Sequence, residues 1–268
     1  MEQLSMQRQV CTWDDFRQHW AGFLNFRIDG ECRFPDFPFP PIDQVVDEVR
    51  RDPDSRIWRG AAGDSLDKTD IAEGFRAMSL AQVMESRFQM SHFKLNNFFG
   101  PGQLLHRFDT DCLIPWLDRL KEAGFTFERY YPIFFISGRQ CSTNFHIDPT
   151  NVVAWQIYGT KFFHGTQDPE RWAPYEMRMN WRDTRRPPGI TEADLLTYRM
   201  SPGDMLWNAM LTPHWVEAGD DEVALSMNLA IDGLRLNGEL CPHERELREY
   251  MIAQGLDVDL TGKAPGDY

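Results

Sequence analysis

Residues 143–150 read TNFHIDPT and set a histidine and a carboxylate two positions apart in a stretch that otherwise looks like a β-strand. Side chains at i and i+2 leave the same face of a strand, so His146 and Asp148 share one surface while Ile147 points the other way. Such a pair is either an ordinary imidazole–carboxylate hydrogen bond or two of the three ligands of a metal. The choice turns on a third ligand. Of the seven histidines, His214 has the most distinctive setting, in MSPGDMLWNAMLTPHWVEAG. There SPGD is a tight turn, DMLWNAM a strand, and TPHW opens a further aromatic-bordered segment. His214 follows Asp148 by 66 residues, a spacing from which a double-stranded β-helix can return the chain to its first ligand-bearing strand.

The elements that must position these groups divide the chain. Residues 1–125 read as a helical or irregular region. CTWDDFRQHW offers Thr12 as an N-cap with Asp15 three residues on, PPIDQVVDEVRR starts with proline, and SLAQVMESRF pairs Ser79 with Gln82 as a capping box. DCLIPWLDRLKEAG ends on Gly124, a C-cap, and Pro115 must sit in its first turn or kink it. Residues 126–240 are strand-rich: RYYPIFFISG, TNFHID, NVVAWQIYG, TKFFHG, DMLWNAM and EVALSMNLAI are short aromatic and β-branched runs between Gly, Pro, Asn and Asp. Strands at this spacing predict an antiparallel sandwich or barrel. Residues 241–268 return to helix in CPHERELREYMIAQGL, with Leu247, Tyr250, Met251 and Leu256 as one apolar stripe. That stripe either covers a sheet face or makes a homodimer contact.

Two imidazoles and one carboxylate on one side of a metal leave the opposite side open, as in non-haem Fe(II) oxygenases. The stretch FFISGRQCSTNFHIDPTNVVAWQIYGTKFFHGTQDP, followed by SPGDMLWNAMLTPHWVEAG and ALSMNLAI, resembles the JmjC or cupin-like branch of the Fe(II)/2-oxoglutarate-dependent dioxygenases over residues 131–232. HxD alone is a weak signal, but HxDP, then QIYGTK, then PGD and a later His in that order is a strong one. The resemblance implies a mainly β fold, a double-stranded β-helix with a helical N-terminal region and a C-terminal helix. It implies that His146, Asp148 and His214 ligate the iron, and that Lys161, 13 residues after the aspartate, pairs with the distal carboxylate of 2-oxoglutarate. It places Thr143 and Asn228 in the cosubstrate pocket, with Tyr131 or Tyr130 adding a phenol. A buried dianion needs a cation and donors at its far end in any case, and Lys161 and Thr143 supply them.

One feature departs from that pattern, and two further residues compete for roles in it. Many relatives have an asparagine four residues after the aspartate, where this chain has Val152, with Asn151 one position earlier. Arg235 is a fallback partner for 2-oxoglutarate, and His164 competes as a polar pocket residue. The aromatic residues Phe145, Trp155, Phe162, Trp207 and Trp215 either exclude water from the mouth or belong to the core, and RFPDFPFPP is an extended connector serving as lid or brace.

The implied activity is hydroxylation of an unactivated C–H bond of a small molecule or amino-acid-like substrate, using Fe(II), 2-oxoglutarate and O2 and releasing succinate and CO2. A peptide side chain is the alternative substrate, and a non-catalytic cupin that binds a ligand is a further one. The net charge of −13, from 28 Lys plus Arg against 41 Asp plus Glu, argues against nucleic acid or an anionic membrane as partner. Five scattered cysteines without a CxxC pair suggest neither a disulfide framework nor a zinc site. MEQLSMQRQVCTWDD lacks a cationic start followed by an apolar stretch, and the expectation is a cytoplasmic protein.

Overall fold

The computed structural model describes residues 7–61, 70–220 and 222–267. Residues 1–6, which open the stretch read for a leader, lie outside them. The strands are β1 (Arg8–Val10), β2 (Phe26–Ile28), β3 (Arg56–Arg59), β4 (Phe88–His92), β5 (Phe125–Thr126), β6 (Arg129–Ser137), β7 (His146–Ile147), β8 (Asn151–Tyr158), β9 (Lys161–Thr166), β10 (Leu195–Met200), β11 (Met205–Asn208), β12 (Pro213–Ala218), β13 (Ala224–Asp232), β14 (Arg235–Leu236) and β15 (Glu239–Leu240). The helices are α1 (Trp13–His19), α2 (Ile42–Arg51), α3 (Ala72–Ala77), α4 (Leu80–Glu85), α5 (Ile114–Glu122), α6 (Pro169–Trp172), α7 (Tyr175–Met179) and α8 (Pro242–Ala253).

An eight-stranded sheet in the order β1-β2-β11-β8-β13-β6-β4-β3 faces a four-stranded sheet, β10-β9-β12-β7. This is the mainly β, helix-flanked double-stranded β-helix anticipated from residues 126–240. The helix signals also hold: Thr12 accepts from the Asp15 amide, Ser79 and Gln82 close a capping box, and Gly124 takes φ +92 after α5. Pro115 sits in the first turn of α5, and the turn before it, Asp109–Leu113, widens to a π-helix. A proline there offers no N–H and crowds the preceding carbonyls, which favours the wider turn.

The first 125 residues are not simply helical. They contribute β1 and β2 to one edge of the large sheet and β3 and β4 to the other. RFPDFPFPP is a brace on the outside of the barrel, not a lid, because Phe34 stacks on Trp155 at 5.4 Å and packs on Trp116 at 4.9 Å. Trp155 and Trp207 therefore belong to the core on the helix-covered face of the large sheet, away from the mouth. Leu247 and Met251 of α8 are buried in that core, whereas Leu256 lies beyond Gly255, which has φ +73, and is exposed. The helix ends before Leu256 can join the stripe. No helix among the described residues is long and apolar enough to cross a membrane.

Candidate metal and cosubstrate site

Antiparallel pairing of β12 with β7 places His214 directly opposite His146. Directly opposed residues share a face of the sheet, and the two rings lie 4.2 Å apart between centroids. Asp148 follows β7 and is held by the turn after β11, where the Leu211 amide donates to the Asp148 carbonyl at 2.8 Å. Its carboxylate then lies 3.9 Å from His146 Nε2 and 3.5 Å from His214 Nε2. One ligand atom from each of the three residues falls within 4.8 Å of the others.

The imidazoles are oriented from behind. Nδ1 of His146 faces the Asn144 carbonyl at 2.7 Å, and Nδ1 of His214 faces the Thr212 carbonyl at 2.9 Å. A carbonyl can only accept, so each Nδ1 carries the proton and each Nε2 turns a lone pair to the site. Phe163 stacks on His214 at 4.9 Å, and burial, followed by the neighbouring His146, pushes the His214 pKa down to about 4. A neutral imidazole of fixed tautomer is the form that binds a metal.

Behind the triad is an enclosed chamber of about 90 Å³ between the two sheets, whose walls include Thr143, Lys161 and Asn228. The turn that feeds Lys161 into it depends on Gly159, at φ +66, where a Cβ would meet the Val223 carbonyl oxygen at 2.8 Å. Lys161 is 3% exposed, and among the described residues its Nζ donates only to neutral acceptors, Phe135 O at 2.9 Å and Ser226 Oγ at 3.0 Å. Desolvation pushes its pKa down to about 7. Thr143 Oγ1 accepts from the Val216 amide at 2.9 Å, which leaves its own hydrogen for the chamber. Buried polar atoms without a protein partner, Gln89 Nε2, Asn208 Oδ1 and Asn228 Oδ1, belong to residues of the same wall. An ammonium with an unused proton and the unpartnered Gln89 Nε2 donor fit a small polar anion, whereas the two Asn oxygens can only accept; a plain apolar core explains none of these groups. The donor set at the near end, N, N and O, fits Fe(II).

Other expectations fall elsewhere. Tyr131 is not among the residues lining the chamber; it packs with Ile133, Val152 and Ala230, and Arg129 caps its ring at 5.2 Å. Tyr130 faces outward against Phe127. Both are too near the start of β6, since Phe135 and Ser137 are the strand's contributions to the wall. His164 lies on the opposite face of β9 from its neighbours Lys161 and Phe163, bonded to Thr197 Oγ1 at 2.9 Å. Arg235 pairs with Glu128. Asn151 uses Oδ1 to accept from the Met210 amide, and Val152, one residue on and facing the other way, lines the chamber. Phe145 and Trp215 form their own cluster with Leu195.

Gln89, Phe135, Asn208 and Ser226 were not anticipated. A lone polar or aromatic residue on a strand carries no spacing signal, although the alternation of β4, β6, β11 and β13 assigns each to the inner face once the register is known. An outer cavity of about 400 Å³ adjoins the triad and is walled by Trp58, Met90, Asn144, Trp181, Arg182 and Thr184 among others. Most of these come from β3, β4 and the segment between β9 and β10.

No family model matches the sequence, and no curated protein sequence does. Solved structures match through the fold. A structure of YcfD, a ribosomal oxygenase from Escherichia coli, superposes with a TM-score of 0.54 at 15% identity, over 94% of this chain and 58% of that one. A second X-ray structure of E. coli YcfD gives 0.55 at 17% identity over 97% and 64%. The complex of YcfD with cobalt and 2-oxoglutarate gives 0.54 at 16% identity over 97% and 63%. The chain thus spans about three fifths of the length of these neighbours and shares the fold of the part that it covers.

Proposed function

We propose that this chain is an Fe(II)- and 2-oxoglutarate-dependent oxygenase that hydroxylates an unactivated C–H bond of a small molecule or amino-acid-like substrate. The observation that carries the reading is the pairing of two half-sites in one enclosed chamber: His146, Asp148 and His214 at the near end, and the buried, incompletely partnered Lys161 at the far end. A fold shared with an oxygenase seen in complex with cobalt and 2-oxoglutarate supports it.

In this reading His146 and His214 hold the metal through Nε2 and Asp148 holds it through its carboxylate. Lys161 Nζ receives the distal carboxylate of the keto acid, with Thr143 Oγ1 and the Asn228 amide beside it. With metal and keto acid bound, O2 supplies the oxygen for C–H hydroxylation while the keto acid leaves as succinate and CO2. The chain's own part is positional. The Asn144 and Thr212 carbonyls fix the two tautomers, Phe163 holds the His214 ring plane, and Phe135, Val152 and Val216 keep water from the chamber. The outer cavity presents the substrate to the triad between Trp58 and Trp181.

A second reading has its own observation. Trp181 and Arg182 wall both the outer cavity and an open groove of about 790 Å³ that runs past Glu176, Asp183 and α8. A substrate longer than a metabolite, such as a peptide, fits that continuity.

Anaerobic addition of Fe(II) and then 2-oxoglutarate should give the weak visible band of the keto-acid chelate. Asp148→Ala should lose it, and Lys161→Ala should need at least tenfold more 2-oxoglutarate to reach it. No band from the folded, metal-loaded parent protein overturns the reading and favours a non-catalytic cupin.

A further inference from the structure

We propose that Asn208 is a positioning residue for the metal: its amide holds Asp148 Oδ2 back, so that Asp148 ligates through Oδ1 alone and the open side of the metal stays open. The inference rests on the oxygenase reading above and concerns a residue that neither the HxD spacing nor the later histidine brings in.

Asn208 closes β11 on the large sheet, opposite Val152 of β8, while the three ligand-bearing positions belong to β7, its following turn and β12. It is therefore the large sheet's reach toward the metal site. The side chain is 1% exposed. Nδ2 lies 3.4 Å from Asp148 Oδ2 and 3.3 Å from His214 Nε2, so one amide group faces two of the three ligands at once. Because Nδ1 of His214 gives its proton to Thr212, Nε2 is an acceptor, and in the metal-free site Asn208 satisfies it. A metal takes that lone pair for itself. The amide hydrogens are then left to the carboxylate, where a bond to one oxygen disfavours two-point ligation.

The other end of the side chain argues against plain packing. Asn208 Oδ1 is buried without a partner among the described residues. A leucine has the same branched heavy-atom skeleton and would leave no unsatisfied carbonyl, so only the donor end accounts for an amide here. The rest of β11 shows the contrast, since Met205, Leu206 and Trp207 are all buried apolar residues.

The test compares Asn208→Leu with the parent protein, using Mn(II) affinity followed by electron paramagnetic resonance and the visible d–d spectrum of the Co(II) form. Residues that orient metal ligands contribute about 10- to 100-fold in affinity. Asn208→Leu should bind Mn(II) that much more weakly, and its Co(II) band should change in shape and intensity as the carboxylate becomes free to ligate through both oxygens. Asn208→Ser, too short to reach Asp148 and small enough to fit without a clash, should behave in the same way and serves if the leucine variant fails to fold. Equal Mn(II) affinities and superimposable Co(II) spectra overturn the role of Asn208 and leave the oxygenase reading intact. A parent protein that binds neither ion overturns both.

Discussion

In the proposed reading Lys161 is the residue on which the cosubstrate half of the site depends, and its burial makes its behaviour pH-dependent. Desolvation lowers its pKa from 10.5 to about 7. In the absence of ligand the folded protein therefore binds fewer protons than the unfolded chain between about pH 7 and 10.5, and its stability should rise with pH across that window. Denaturant titrations of the metal-free protein at pH 7 and pH 9 check the sign. The effect on binding runs the other way. A dianionic keto acid needs the ammonium form, so above pH 7 binding must take up a proton and the apparent Kd for 2-oxoglutarate should increase up to about tenfold per pH unit. A pH-independent Kd between 7 and 9 would mean that Lys161 is not the partner. Lys161 was singled out through the family resemblance, by its place 13 residues after Asp148 and after the Gly159 turn, and the structure buries it in the chamber wall. Its neighbours Ser226 and Gln89 were not singled out, because contact between them is set by the pairing of β6 with β13 and β4, which no local pattern encodes. Tyr131 failed for a related reason: which of several alternating positions on a long strand reaches a chamber depends on how far along the strand the chamber lies.

At the scale of elements, legibility followed strand length and burial. The long strands β6, β8 and β13 are buried almost throughout and announce themselves as aromatic and β-branched runs. RQV, FRI, RIWR and FQMSH, the four strands from the first 125 residues, are three to five residues long and show no such run. They become strands because the edges of the large sheet offer unpaired backbone groups, a tertiary cause. The same region supplies the outer brace. Phe34 is buried between Trp116 and Trp155, on the side of β8 that faces away from the chamber. Phe34→Ala should then cost about 3 kcal/mol in chemical denaturation, yet leave Mn(II) affinity within twofold of the parent protein, because Val152 and the ligand strands keep their register. A large loss of metal affinity would show that the brace sets the site geometry and does not merely support the sheet.

For the whole molecule, the excess of acid over base finds a local expression beside the site. The open groove beyond Trp181 and Arg182 is bordered by Glu176 and Asp183, and Glu246 and Glu249 lie within electrostatic reach of Tyr175 nearby. Arg182, over the Trp181 ring at 4.5 Å, and Arg185, 3.8 Å from the Asp183 carboxylate, offset only part of this charge. A negative groove that adjoins the cavity at the triad attracts cations, so the two substrate readings separate by their response to salt. If the substrate is a cationic peptide lying along the groove, Lys- or Arg-rich peptides should stimulate succinate formation. That stimulation should fall severalfold between 0.05 and 0.5 M salt, as the screening length shrinks from roughly 14 to 4 Å. If the substrate is a metabolite confined to the outer cavity of about 400 Å³, stimulation should come from small molecules alone. Charge reversal at the groove then decides the matter at one salt concentration: Glu176→Lys combined with Asp183→Lys should raise KM for a cationic peptide at least tenfold while leaving 2-oxoglutarate affinity unchanged. The same double variant should leave a metabolite's KM unchanged, because neither carboxylate lines the outer cavity.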